Sequence, residues 1–190
     1  SYTSSISSLQ LLSTPSQTST LPGYASGSRS GTSGSANFTI THTTLSQAVT
    51  LLDHIAAGSQ PVTVEVRNVG STTPLQTFTP TLAGGTYSQV LDIAPGNYDV
   101  AVRGATWLRK VSTVNFNSAT VSGPAVTLWN GDVNGSNLVD IADYTDLATA
   151  FDSIPSSPNW NPSADLNGDL VVDIADYTIL ATSFDLVGDN

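Results

Sequence analysis

Between residues 36 and 128 apolar and polar residues alternate or cluster in short runs. The runs are Ala36–Thr41, Ala48–His54, Pro61–Asn68, Leu75–Leu82, Thr86–Ile93, Asn97–Arg103, Val111–Phe116 and Ala119–Leu128. They are rich in Val and Thr and separated by Gly, Pro, Asn and Ser, which predicts strands joined by turns. Ala83-Gly-Gly-Thr86 and Ala94-Pro-Gly-Asn97 are turn signals between two such runs. A spacing near ten residues predicts an antiparallel β-sandwich. Only residues 46–57 compete as helix, and Val49, Thr50 and the stop at Gly58 weigh against that. After residue 128 the period changes. Ile141, Tyr144, Leu147, Ala148 and Phe151 share one helical face, and Ile174, Tyr177, Leu180, Ala181 and Phe184 repeat it. The three prolines between Asp152 and Ser163 make that linker a loop. The fold class predicted is mainly β, an antiparallel sandwich followed by a small α-helical module. The boundaries are an N-terminal arm at 1–35, the sandwich at 36–128 and the module at 129–190.

The module is a duplication. Asp132 to Phe151 and Asp165 to Phe184 are identical at 14 of 20 positions, at an offset of 33 residues. Each copy opens with acidic and amide residues at alternate positions. A hard cation takes about 6–8 oxygen ligands, and a loop of about 12 residues supplies them from positions 1, 3, 5, 7, 9 and 12. That register selects Asp132, Asn134, Ser136, the Leu138 carbonyl, Asp140 and Asp143. In the second copy it selects Asp165, Asn167, Asp169, the Val171 carbonyl, Asp173 and Asp176. Two calcium ions are the expected cofactors.

Charge supports this. From Asn130 onward lie 11 of the 15 acidic residues and no Lys or Arg. Carboxylates at that density repel one another in a compact state unless cations offset them. The net charge of −10 excludes a phosphate-binding surface for nucleic acid. With no Cys, thiolate metal sites, disulfides and thiol nucleophiles are excluded. No apolar stretch is long enough to span a membrane. One Lys, one Glu and abundant Ser, Thr, Gly and Asn give an extracellular composition. A start at Ser1 with no Met anywhere is expected of a chain that has lost a secretory leader.

Gly131-Asp-Val-Asn-Gly135 and Asp165-Leu-Asn-Gly-Asp169, each followed by a helix and closed by Asp at position 12, resemble the type I dockerin module over residues 131–187. No full helix precedes either loop, as it would in a conventional EF-hand, because Thr127-Leu-Trp-Asn-Gly131 and Asn161-Pro-Ser-Ala164 stand there. The resemblance implies two calcium loops, two helices in pseudo-two-fold relation, a short helix between them, and docking onto a cohesin partner through the helices. Position 6, normally Gly in that family, is Asn137 in one loop and Leu170 in the other. Pro61-Val-Thr-Val-Glu-Val-Arg67, Ala94-Pro-Gly-Asn-Tyr-Asp-Val100 and Gly104-Ala-Thr-Trp-Leu-Arg-Lys110 are similar to transthyretin-like or carboxypeptidase-regulatory-like sandwiches of secreted bacterial proteins.

Nothing in the sequence assembles a catalytic centre. No Gly-x-Ser-x-Gly elbow is present, and the alternation of a strand turns Asp53 and His54 to opposite faces. Glu65 and Arg67 are expected to form a surface ion pair. Trp107 is expected in the core or at an interface, with stacking on a sugar as the minor alternative. Asn37-Phe-Thr39 has the form of a glycosylation sequon. The arm, about half Ser and Thr, gains little order from its own burial. The expected function is a non-catalytic, secreted, calcium-binding structural protein. The arm would donate a strand to the next copy in a filament or surface assembly, with Ile6, Leu9 and Leu11 or Leu12 as anchors. The alternative is a module that docks on a cohesin-like scaffold or binds polysaccharide.

Overall fold

The computed structural model describes residues 42–190. The expected strand Ala36–Thr41, the arm of residues 1–35 and the Asn37 sequon lie outside the described residues. Among the described residues eight strands form two four-stranded sheets, and two short α-helices follow them. The first sheet holds β1 (Thr43–Leu51), β4 (Thr86–Leu91), β7 (Thr120–Ser122) and β8 (Val126–Leu128). The second has the order β3 (Pro74–Phe78), β2 (Thr63–Asn68), β5 (Asn97–Arg103), β6 (Lys110–Asn115). Alternation produces these strands as expected: in β1 the residues Thr43, Leu45, Gln47, Val49 and Leu51 point inward. Leu45, Val64, Val66, Val100, Val102, Val114 and Phe116 close the core between the sheets.

Three strand expectations are corrected. The run Ala48–His54 begins earlier and ends at Leu51, because Asp53 turns into the left-handed region at φ +60°; it is not helix. The run Ala119–Leu128 is two strands. Gly123 and Pro124 divide it, and Gln47 fills the space that a side chain at Gly123 would need. Both pieces pair parallel with β1, so the first sheet is mixed and not purely antiparallel. The Glu65–Arg67 pair is not on the surface. A bulge between Val66 and Arg67 turns two successive side chains inward. Arg67 is 2% exposed and donates from Nε and Nη2 to Glu65, while its Nη1 has no partner.

Helices α1 (Ile141–Ala150) and α2 (Ile174–Thr182) begin at Asp140 and Asp173. Each start is a capping box. The first Asp accepts the amide of the residue two on, and the third residue of the helix, Asp143 or Asp176, accepts the cap residue's own amide. A second apolar cluster, with Val139, Leu147, Ala150, Leu166, Val172 and Leu180, lies under the helices, and Leu108 from the β5–β6 loop is part of it. The helical face read from the sequence is divided between core and surface. Leu147 and Leu180 are buried, but Ile141, Tyr144, Phe151, Ile174, Tyr177 and Phe184 are exposed. The inward positions are taken by Asp143, Leu147 and Ala150 in α1, and by Asp176 and Leu180 in α2. No helix among the described residues is long and apolar enough to cross a membrane.

Candidate metal centre

Each loop folds around its first and last acid. In the first loop Asp132 is fully buried. Its Oδ2 accepts the Asn137 amide at 2.9 Å, and its Oδ1 has no hydrogen-bond partner. Asp143 is fully buried as well, with Oδ1 accepting the Asn134 amide at 3.0 Å and Oδ2 the Asp140 amide at 2.8 Å. Asn134 Oδ1 accepts the Ser136 amide, and Ser136 Oγ donates to the Leu138 carbonyl. Asp140 caps α1. The six sequence-predicted ligands of the first copy therefore occupy one loop, tied by their own short-range hydrogen bonds.

The second loop repeats the plan. Asp165 Oδ1 accepts from Gly168 and Asp169, and Oδ2 accepts from Leu170 at 2.9 Å. Asp176 is fully buried; its Oδ1 accepts the Leu166 and Asn167 amides and its Oδ2 the Asp173 amide. Asn167 Oδ1 accepts the Asp169 amide, Asp169 Oδ1 accepts the Val171 amide, and Asp173 caps α2. Position 6 is left-handed in both loops, with φ +72° at Asn137 and at Leu170. That is the conformation that a tight cation loop requires there and that the family expectation assigns to Gly.

The electrostatics of the loops call for a counter-charge. Burial raises the pKa of Asp132 and of Asp176 above the ordinary carboxylate value, against the opposing pull of backbone amides. The unpartnered Oδ1 of Asp132 is an acceptor shut away from water, which is costly unless something ligates it. These two facts fit a hard cation. Among the described residues no group of three or more His, Cys, Asp or Glu side chains is gathered closely enough to hold a metal alone. A calcium loop does not depend on such a group, since amide, hydroxyl and main-chain oxygens complete its shell.

The two repeats are clasped to each other. After α1 the chain pairs with the second loop, through the Asp152 amide to the Val172 carbonyl and the Val172 amide to the Ser153 carbonyl. After α2 it pairs with the first loop, through the Val139 amide to the Leu186 carbonyl and the Asp185 amide to the Val139 carbonyl. Asp152 and Asp185 turn left-handed at these equivalent points. The outcome on the surface is a nearly symmetric apolar face. Ile141 and Ile174 are 65% and 64% exposed, and Tyr144 and Tyr177 meet edge to face at 6.0 Å between ring centres. Tyr144, Tyr177, Leu180, Ala181 and Phe184 line a groove there with Ile141.

Sequence reasoning missed the residues that join the loops to the sandwich. Asn130, fully buried, accepts from Thr106 Oγ1 at 2.8 Å and donates to the Leu166 carbonyl at 2.8 Å. Thr106 O accepts the amides of Gly131 and Asp132. Arg103 Nη2 lies 3.3 Å from the Gly135 carbonyl and 3.6 Å from Asp132 Oδ2. The Ile55 amide donates to the Asn167 carbonyl, and the His54 ring packs on Gly168, where a Cβ would collide with it. His54 sits on a turn, accepts the Ala56 amide and stacks tilted on Trp107; burial lowers its pKa. Trp107 is a core residue and its Nε1 donates to the Leu52 carbonyl.

No protein-family model matches the chain, and no curated protein does. Solved structures do match. A chain in the crystal structure of a type II cohesin–X–dockerin complex from Acetivibrio cellulolyticus, an N-terminal interface mutant, is 21% identical at a TM-score of 0.60, with 77% of this chain and 97% of that chain covered. A chain in a C-terminal interface mutant of the same kind of complex is 20% identical at a TM-score of 0.58, with the same coverage. At that identity the likeness is one of fold: a mainly β chain with two sheets and two short helices.

Proposed function

We propose that this protein is a non-catalytic, secreted docking module of the dockerin kind, whose paired helices are held by two calcium loops and presented to a cohesin-type partner on an extracellular scaffold. Asp132, Asn134, Ser136, the Leu138 carbonyl, Asp140 and Asp143 would hold one ion. Asp165, Asn167, Asp169, the Val171 carbonyl, Asp173 and Asp176 would hold the other. Calcium would supply positive charge to loop carboxylates of which only Asp132 has a cationic side chain beside it, Arg103, among the described residues. Asp143 and Asp176 do the positioning, because each fixes its own loop amides and the first turn of its own helix. Residues 36–128 would be the sandwich domain that carries this module, residues 129–190.

The observation that carries the reading is the apolar face of α1 and α2. Two Ile, two Tyr and two Phe stand exposed on a chain of net charge −10. Ile141, Tyr144, Tyr177 and Phe184 line one groove, and an exposed apolar and aromatic patch of this kind marks an interaction surface. The fold likeness supports it too. The matched structure shares 77% of this chain at a TM-score of 0.60, and it comes from a complex in which a dockerin-bearing chain is bound by a cohesin.

The test is calorimetry of the full chain against purified type I and type II cohesins, with calcium and with chelator. The expected result is two calcium ions per chain and cohesin binding that needs them. A chain that takes up no calcium, or binds a cohesin equally well in chelator, overturns the proposal.

A further inference from the structure

The sandwich touches both loops at the same loop position, but with different chemistry. Gly135 and Gly168 are equivalent, 33 residues apart, and both are left-handed, at φ +77° and +78°. Against Gly135 lies the guanidinium of Arg103, 3.5 Å from where a Cβ would stand. Against Gly168 lies the His54 imidazole. Arg103 ends β5 and reaches the first loop from outside it, with Nη2 at 3.6 Å from the buried Asp132 Oδ2 and 3.3 Å from the Gly135 carbonyl. Asp132 thus has one oxygen shared by a permanent cation and the Asn137 amide, and one oxygen left without a partner. Asp165, its counterpart, has both oxygens on loop amides and no cationic neighbour within ion-pair distance among the described residues.

The loops also differ in their own charge. The first has three side-chain carboxylates, Asp132, Asp140 and Asp143; the second has four, Asp165, Asp169, Asp173 and Asp176. With Arg103 counted, the first loop presents a net −2 and the second −4.

We propose that Arg103 is a built-in counter-ion that grades the two calcium sites: it stabilises the first loop without metal and weakens metal binding there, so the second loop fills first. This rests on the calcium reading above and goes beyond it by assigning unequal sites and a residue that, beside the extra carboxylate Asp169, makes them unequal. A fixed positive charge next to one ligand oxygen repels an incoming dication and attracts the empty carboxylate, and both effects lower affinity at that loop alone. Arg103 is partly buried, so the surrounding water screens only part of this.

The experiment is a calcium titration of the full chain followed by NMR, with the Asn137 and Leu170 amides as separate reporters of the two loops. In the wild-type protein the Leu170 signal should shift at lower calcium than the Asn137 signal. In Arg103→Gln the Asn137 midpoint should fall by about three- to tenfold, while the Leu170 midpoint stays. Arg103→Lys keeps the charge and should keep the wild-type order. If both amides respond and Arg103→Gln leaves the Asn137 midpoint in place, raises it, or moves both midpoints equally, the grading is wrong while the calcium reading stands. If neither amide responds to calcium, both fall.

Discussion

Asn137 and Leu170 share one backbone conformation, φ +72°, at equivalent loop positions, and their side chains meet opposite fates. Asn137 Oδ1 accepts the Arg109 amide at 2.8 Å, and its Nδ2 donates to the Asp189 carbonyl at 3.1 Å. It ties the first loop to the β5–β6 loop and to the C-terminal residues. Leu170 is 60% exposed, and its side chain offers no such tie.

The same substitution should therefore act with opposite sign in the two loops. A left-handed Leu costs about 1–2 kcal/mol in backbone strain, so Leu170→Gly should stabilise the protein by about 1 kcal/mol and tighten calcium at the second loop. Asn137→Gly relieves little strain, because Asn tolerates this region, and it breaks two hydrogen bonds. It should cost about 1–2 kcal/mol. Urea unfolding at fixed calcium measures both; shifts of the same sign would show that strain, not tethering, governs position 6.

Asp143→Ala and Asp176→Ala should each remove one ion and loosen both repeats. Either change strands two or three buried amides, at about 1–3 kcal/mol each, and breaks a capping box. Because each helix exit pairs with the other repeat's loop, the damage should cross. Hydrogen exchange in Asp176→Ala should show lost protection at Val139 as well as at Val172. Protection lost only in the substituted half would mean that the clasp carries little energy.

Ile141→Asp together with Ile174→Asp should abolish partner binding and leave the fold intact. Both side chains are about two-thirds exposed and bury almost nothing in the isolated chain. Placed in a desolvated interface, a carboxylate costs several kcal/mol. The check is unchanged thermal unfolding beside lost affinity for a cohesin that the parent binds. A double variant that still binds would move the docking surface elsewhere.

The strand pattern and the duplicated acids were legible because they depend on local period and spacing. Three things were not. Which positions of the helical face turn inward was not readable from period alone, because Ile, Tyr and Phe at helical spacing look like core. In a module this small the inner face is needed by Asp143 and Asp176, which serve the loops, and the aromatics are left outside. The loop partners were invisible because Arg103, Thr106, His54 and Asn137 meet the module only through tertiary approach. Arg67 was read as surface because a period of two was assumed through Asn68, and the bulge after Val66 breaks that period.

Asn130 is where the sandwich, the first loop and the second repeat meet, so its amide should be indispensable. Its Oδ1 accepts from Thr106 Oγ1 and from the Gly131 amide at 2.9 Å, and its Nδ2 donates to the Leu166 carbonyl. Leu166 also donates its amide to Asp176 Oδ1 at 2.7 Å, so Asn130 is one residue away from the carboxylate that fixes α2. Asn130→Asp keeps the shape and the acceptor. It replaces the donor with an oxygen that faces the Leu166 carbonyl, and it buries one more carboxylate beside Asp132. The expected cost is about 2 kcal/mol or more at neutral pH, from one lost hydrogen bond and one uncompensated charge. Asn130→Ala leaves Thr106 Oγ1 and the Leu166 carbonyl without this partner, while the Gly131 amide keeps the Thr106 carbonyl, and should cost a similar amount. Unfolding midpoints at saturating calcium provide the check. If Asn130→Asp is as stable as the parent, the buried bridge to Leu166 does not hold the second repeat in place.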